Sequence, residues 1–434
     1  MRYRLKDIPL LMSTPVGRRD LLLGQRHNLW PLLRRLAGLY RRILLRKTKI
    51  AAVIGSYGKS TTTRALSAAL HKKTADTSNS NSWSGLALTL LSIRPWEEHR
   101  ALEVGISSGG WMKIYSQMIK PDIVVVTSIG IEHHRSLGTL ENTRSEKAEM
   151  LRSLSSAGVA ILNGDDPNVS WMAGQTSARV VTFGFGSHND VTASEYSLAW
   201  PDGNRFTVHT EAGSGVVSSR LFGRHMVYPI LAGVATGLVE GFDLNTILPA
   251  VEGLKPTQGR LQKIQLHNGA IVLRDDFKAS LETIESALST LSEIPAKRRI
   301  VCLGEVEDSP GSRGPVYRSL GEQLAGAASK AVFICSRKSF RDYRVGAMLS
   351  GMPQEDLIYA GNNWSTVHAQ LQKDLSPGDA VLLKGRGSQR LERIALALEG
   401  KSVHCALISC SIGYGTCSLC PMLERGWKRQ KNTI

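Results

Sequence analysis

The apolar run Ile50-Ala51-Ala52-Val53-Ile54 leads directly into Gly55-Ser56-Tyr57-Gly58-Lys59-Ser60-Thr61. Leu66, Ala69 and Leu70 then fall at helical spacing between Thr61 and Leu70. A buried strand, a Gly-rich turn and a helix in that order commit the chain to an α/β layer with the turn at one end of the sheet. Such a turn exposes backbone N–H groups at the positive end of a helix, where a polyphosphate binds. Lys59 would reach the terminal phosphates, and the hydroxyl of Ser60 or Thr61 would hold magnesium. The full Walker pattern needs Gly at position 53, where Val53 stands, so the match is to the shorter Gly-Ser-x-Gly-Lys-Ser-Thr form.

The rhythm that begins there continues. Apolar runs at Ile50–Ile54, Arg100–Val104, Asp122–Thr127, Val159–Leu162 and Val180–Phe183 alternate with helical stretches, which predicts a mostly parallel sheet over residues 49–255. Leu254-Lys255-Pro256-Thr257-Gln258-Gly259 reads as a linker. A second alternating region, 256–400, has strands at Ala270–Leu273, Arg299–Leu303, Ala331–Ile334 and Ala380–Leu383. It reads as a smaller, Rossmann-like α/β domain. The predicted fold is therefore a P-loop-type, mostly parallel α/β domain followed by that smaller one. A basic leader (1–48) and a Cys-rich tail (401–434) flank the pair.

Charge is concentrated at the front. Residues 1–49 carry 13 Lys/Arg against Asp7 and Asp20, a net +11 of the chain's +17. No zinc-finger, RNA-recognition or helix-turn-helix signature accompanies this excess, so nucleic acid is not the expected partner. Over Leu29–Arg46, the residues Leu29, Leu32, Leu33, Leu36, Leu39, Tyr40, Ile43 and Leu44 can share one helical face. Arg34, Arg35, Arg41, Arg42 and Arg46 lie largely on the other, with Trp30 as an interfacial anchor. This predicts docking to a membrane surface or a protein partner. The alternative is a helix packed on the protein's own body with solvated arginines. No apolar run approaches the ~20 residues of a spanning helix. The start lacks an h-region and cleavage site, so the expected location is the cytoplasm or the cytoplasmic face of a membrane.

Cys302 and Cys335 sit in strand-like apolar runs and read as inert core residues. Cys405, Cys410, Cys417 and Cys420 crowd the tail, a spacing that suits a zinc or iron–sulfur site or else reduced, unliganded thiols.

Several segments in order resemble the Mur ligases, ATP-dependent enzymes that join an amine to a carboxylate through an acyl phosphate. The phosphate loop is similar to their Gly-Thr-x-Gly-Lys-Thr-Thr. Thr77-Ser78-Asn79-Ser80-Asn81 resembles the Asn-rich loop of the branch that adds D-alanyl-D-alanine. Leu102-Glu103-Val104-Gly105 resembles the strand with the family's magnesium-binding Glu. Ile129-Gly130-Ile131-Glu132-His133 and Glu146-Lys147-Ala148-Glu149 resemble its His and Lys segments, and Asn163-Gly164-Asp165-Asp166 its Asn-x-Asp-Asp. Gly259-Arg260-Leu261, Asp275-Asp276-Phe277-Lys278-Ala279 and Lys384-Gly385-Arg386-Gly387-Ser388 resemble motifs of its C-terminal domain.

The resemblance implies ATP and magnesium as cofactors, with a carboxylate and an amine, small molecules or peptides, as substrates. Gly55, Ser56, Gly58, Lys59, Ser60, Thr61 and Arg260 would bind the nucleotide. Ser60, Glu103, His133 and Lys147 would serve the metal ions, Lys147 as a carbamate. Lys59, His133, Lys147, Asp276 and Lys278 would form the catalytic set. Two departures stand out. Met226 and Pro229 follow Gly223-Arg224-His225 where the family commonly has adenine-contacting Asn, which leaves ATP against GTP open. Only a basic leader of 48 residues precedes the domain with the phosphate loop, which predicts a substrate other than the usual UDP-muramoyl peptide. Poly-γ-glutamate and folylpolyglutamate synthetases offer one alternative precedent. A nucleotide-dependent regulatory subunit without ligase activity is the other.

Overall fold

The computed structural model describes residues 8–13, 18, 21, 28–72, 81–131, 134–308, 312–410, 416–420 and 422–426. It divides into two compact units, Arg26–Lys255 and a second that contains Pro256–Ile434.

The first unit is built on an eight-stranded sheet in the order β2-β1-β3-β4-β5-β6-β7-β8. Its parallel part comprises β1 (Lys49–Ile54), β2 (His99–Glu103), β3 (Ile123–Val126), β4 (Val159–Asn163) and β5 (Arg179–Gly184). β1 and β3 are buried along almost their whole length because helices cover both faces, which is why they read as continuous apolar runs. The register pairs Val53 with Glu103, Ile54 with Val126 and Val126 with Leu162. Four parallel strands therefore end at one edge of the sheet, and the loops leaving them meet there.

β6 (Val191–Ala199) pairs parallel to β5, and β7 (Gly203–Thr210) and β8 (Gly213–Ser219) complete an antiparallel meander. The apolar-run reading passed over these three. β6 alternates buried and exposed positions, and β8 is Gly- and Ser-rich, so neither forms a continuous apolar stretch.

The second unit has a six-stranded sheet of order β13-β12-β11-β14-β10-β9. These strands are β9 (Gln262–Gln265), β10 (Ile271–Asp275), β11 (Arg298–Leu303), β12 (Lys330–Phe333), β13 (Leu357–Tyr359) and β14 (Asp379–Lys384). All neighbours are parallel except β9, which runs antiparallel to β10. Cys302 and Cys335 are fully buried in this core, and burial pushes both thiols up, as expected for inert cysteines.

The leader forms a helix, Trp30–Ile43, that packs on the first unit and corrects two expectations. Trp30 is no interfacial anchor. It is buried against Trp83, Trp111 and Tyr115, with ring centroids 5.9–6.2 Å away. Nor is Arg41 on a solvated face. Its Nε donates to Ile119 O (3.0 Å), and its Nη2 to Lys120 O (3.0 Å) and Asp122 Oδ2 (2.8 Å). Nη1 donates to Leu45 O and Thr48 O. One guanidinium thus caps the C-terminus of helix Trp111–Ile119 and closes the turn into β1. Asp122 also accepts the Ile50 N–H at 2.8 Å, so the ion pair is continuous with the first strand.

Replacing Arg41 by Ala strands four carbonyls and leaves Asp122 without its partner. We expect a loss of about 3 kcal/mol in urea unfolding, the lower end for a broken buried pair because Asp122 is part-exposed. A change under about 0.5 kcal/mol, the size of an ordinary surface substitution, would contradict the anchoring role.

Candidate active site

Gly55 takes φ +140° at the end of β1, and a Cβ there would run into the Thr127 hydroxyl. Gly58 follows at φ +79° as the N-cap of helix Lys59–Ala69. No acidic residue stands in that helix's first turn, so its positive end faces the turn uncompensated by a carboxylate. Two hydroxyls of the helix are satisfied locally. Thr63 Oγ1 donates to Lys59 O and Ser67 Oγ to Thr63 O, each at 2.9 Å. Lys59 itself is buried and donates from Nζ to Gly55 O and Ser56 O at 2.9 Å, folding over the loop.

The loop is held by its neighbours at the sheet edge. Ser56 N–H donates to Ser128 O (2.7 Å), Tyr57 N–H to Ser128 Oγ (3.2 Å), and Thr127 Oγ1 to Tyr57 O (2.6 Å). Ser56 Oγ is the hub. It accepts from Gly130 N–H (2.8 Å) and from Lys147 Nζ (2.8 Å), and donates to Gly130 O (3.2 Å). Lys147 lies in helix Leu140–Arg152 and is 2% exposed. Burial, joined by the Lys59 charge, holds its amine well below the ordinary lysine range, with Asp166 opposing.

Glu146, one residue earlier, accepts from Gly110 N–H and Met112 N–H at 2.9 Å, and so caps helix Trp111–Ile119 from the other side. Glu103, at the end of β2, accepts from Asn81 Nδ2 at 2.9 Å. The Asn163–Asp166 turn braces the same edge. Asn163 Nδ2 donates to Thr127 O (2.8 Å), and Asp166 accepts from Ile129 N–H (2.8 Å). Asp165 accepts from Phe185 N–H, Gly186 N–H, Asn189 Nδ2 and the Tyr228 hydroxyl at 2.6–3.0 Å. Burial opposes its charge, but these donors outweigh it and hold the carboxyl below its usual value.

The sequence-predicted residues Gly55, Ser56, Gly58, Lys59, Ser60, Thr61 and Lys147 thus converge at one edge, with Glu103 on the adjoining strand end. His133 lies outside the described residues, as do Thr77–Ser80. The bracing roles of Asp166, Thr127 and Glu146 escaped the sequence reading. Asp166 and Glu146 stand in motifs to which the sequence assigns no partner, and Thr127 only ends the predicted strand Asp122–Thr127.

Asp276, Lys278 and Arg260 belong to the second unit and form their own cluster. Lys384 Nζ donates to Asp275 Oδ2 (2.6 Å) and Lys278 O (2.8 Å), fixing the loop after β10. Asp276 is buried and accepts from Arg274 Nη2 at 3.2 Å. Burial pushes its carboxyl up, Arg274 pulls it down and Glu392 pushes it up again. Arg260 stacks over the Phe277 ring at 4.8 Å.

The tail corrects the metal expectation. Among the described residues no group of three or more His, Cys, Asp or Glu is placed to hold a metal ion. The segment is bound by its backbone instead. Trp364 Nε1 and Arg393 Nη1 donate to Cys405 O, Cys410 N–H donates to Ser388 O, and Cys417 N–H donates to Glu392 Oε2. Burial and then the Glu392 charge push the Cys417 thiol up.

A phosphate loop at the end of a parallel strand, with two lysines converging on it, defines a P-loop nucleotide-binding α/β protein. The profile of the Mur ligase middle domain matches residues 53–237, and that of the Mur ligase glutamate ligase domain matches 259–387. The chain belongs to the Mur ligase family, enzymes that form amide bonds with ATP. It is 26% identical over 361 residues to the UDP-N-acetylmuramoyl-tripeptide–D-alanyl-D-alanine ligase of Bacillus subtilis, covering 80% of this chain and 75% of that protein. The Escherichia coli ligase of the same name is 27% identical, with coverage of 81% and 77%. Among solved structures, MurF from Acinetobacter baumannii superposes with a TM-score of 0.75 at 24% identity, covering 85% and 80%. The Thermotoga maritima MurF ligase in complex with ADP gives 0.74 at 20%, covering 85% and 83%.

Two measurements check the site. Ser56→Ala should destabilise the fold by about 1–3 kcal/mol, the cost of leaving a buried donor unmet, while thermal shift by ADP shrinks or vanishes. Asp165 contributes stability above its unfolded pKa of about 3.9 and loses it as pH falls through its lower folded value. Asp165→Asn should therefore flatten the acid limb of the curve of Tm against pH, and an unchanged limb would exclude that contribution.

Proposed function

We propose that the chain phosphorylates a carboxylate with ATP and passes the acyl group to an amine, releasing ADP and phosphate. The carrying observation is the buried Lys147–Ser56 contact beside Lys59 at a helix N-terminus. A carboxylate and a nucleotide are both anions, and the Lys59 charge at a positive helix end supplies part of the neutralisation that their approach demands. The turn fits a polyphosphate, since Gly55 and Gly58 shape it at positive φ and no acid competes for the helix end. In this reading Gly55, Ser56, Gly58 and Lys59 hold the phosphates. The Ser60 or Thr61 hydroxyl and Glu103 hold magnesium, whose chemistry is to screen the transferring phosphoryl group. Glu103 is a hard oxygen donor suited to that ion.

Lys147 has a further role in this reading. Burial favours its neutral amine, the form that adds carbon dioxide to give a carbamate and a proton. His133 would join the metal site. Arg260, Asp276 and Lys278 are assigned to the nucleotide and the acyl phosphate, Lys278 balancing phosphate charge. The carboxylate is proposed to differ from the UDP-N-acetylmuramoyl-tripeptide named for the relatives.

Hydroxylamine trapping tests the whole reading. With the correct carboxylate, ATP should yield a hydroxamate and ADP, whereas ADP alone would make the chain a nucleotide hydrolase. Trapping with UDP-N-acetylmuramoyl-tripeptide at a rate typical of the named relatives would overturn the different-substrate reading. Lys59→Ala should lower turnover on the order of 10²-fold or more with the fold intact. Lys147→Ala should be inactive and partly rescued by a short carboxylic acid, and full activity without rescue would remove the carbamate.

A further inference from the structure

Helix Trp30–Ile43 presents two faces of different fate. Trp30, Ala37, Gly38 and Arg41 are buried on the first unit. Leu32, Leu36, Leu39 and Ile43, spaced four, three and four apart, form a stripe on the opposite side at 3.6 residues per turn. All four are about half exposed (46–56%), as is Leu29 before them. Arg35, Arg42 and Arg46 are exposed along one flank of that stripe, with Lys47 and Lys49 just beyond. A second apolar group stands nearby. Tyr40 donates its hydroxyl to Ile93 O at 2.7 Å, tying the helix to the loop whose Trp96 is 73% exposed. Arg94 lies 5.5 Å from the Trp96 ring. The acids of that loop are engaged, Glu97 with Arg100 and the Arg94 N–H, and Glu98 with Lys72.

We infer that this face docks on an anionic phospholipid surface, with the leucine stripe and Trp96 entering the interface and the arginines binding headgroups. Exposed leucines alternating with arginines suit a layer that is apolar within and anionic at its rim. A cytosolic protein partner would need the same two properties in a matching groove, whereas a bilayer offers both over any area. No described helix is long and apolar enough to cross a membrane, so the contact is peripheral. The mount is rigid. Arg41 and Trp30 fix the helix to the body, so the stripe is displayed without any refolding.

Co-sedimentation of the full chain with vesicles tests this. Wild type should bind phosphatidylcholine vesicles containing phosphatidylglycerol at least about tenfold better than pure phosphatidylcholine, and lose most of that preference between about 0.05 and 0.5 M salt. Leu36→Glu/Leu39→Glu and Arg35→Glu/Arg42→Glu should each lower binding on the order of tenfold. Their thermal midpoints and ATP turnover should match wild type, since all four side chains face outward. Variants that bind like wild type would move the contact off this helix and overturn the proposal. So would wild-type binding that ignores lipid charge and salt, or no wild-type binding at all. A wild type that self-associates without binding vesicles, and is made monomeric by Leu36→Glu/Leu39→Glu, would assign the face to a second copy.

Discussion

One hydroxyl organises the edge of the first unit. Ser56 Oγ spends both acceptor positions and its proton on Gly130 and Lys147, joining the phosphate loop to the loop after β3 and to helix Leu140–Arg152. A buried lysine is costly unless something receives its protons, and this serine receives one, while burial and then the Lys59 charge hold the amine well below the ordinary lysine range. The surrounding contacts serve the same arrangement. Thr127 and Ser128 fix the loop backbone, and Asp166 fixes the segment leading to Gly130. The loop is thus shaped in advance by the sheet. A nucleotide arriving there would spend little of its binding energy on ordering the chain.

How much of this was readable in the sequence differs by element. β1, β3, β4, β11 and β14 are buried on both faces, so their apolar runs announce them. The phosphate loop is readable because strand, glycines, lysine and hydroxyls are contiguous. The Ser56 hub is not, since its partners lie 74 and 91 residues away and pairings at that separation leave no local pattern. Helix Trp30–Ile43 shows the same limit. Its amphipathic period was plain, but which residues would be claimed by the body depended on Asp122, Ile119 and three distant aromatic rings. The tail cysteines left two readings open, a metal site or unliganded thiols. Spacing alone does not choose between them, because the placement of the segment depends on Arg393 and Trp364, which hold its backbone from a distance in sequence.

Asp276 and Lys147 make an instructive pair. Each is nearly inaccessible and each is shifted by burial toward its neutral form. Lys147 has a hydroxyl for a partner and a second cation nearby, which deepens the shift. Asp276 has Arg274 beside it, which limits the shift. The same desolvation thus favours the neutral amine at one residue and is limited by an ion pair at the other.

The Glu392 carboxylate gives the C-terminal segment a reach beyond its own packing. Oε1 faces Arg274 at 3.5 Å and the Gln258 amide at 3.4 Å, while Oε2 accepts the Cys417 N–H at 2.8 Å. Arg274 in turn holds Asp276. The position of the tail is therefore written into the charge balance of the loop after β10. Shortening the chain before Cys417 would hand one side of Glu392 to water, weaken its repulsion of Asp276 and retune a carboxyl that the missing residues never touch.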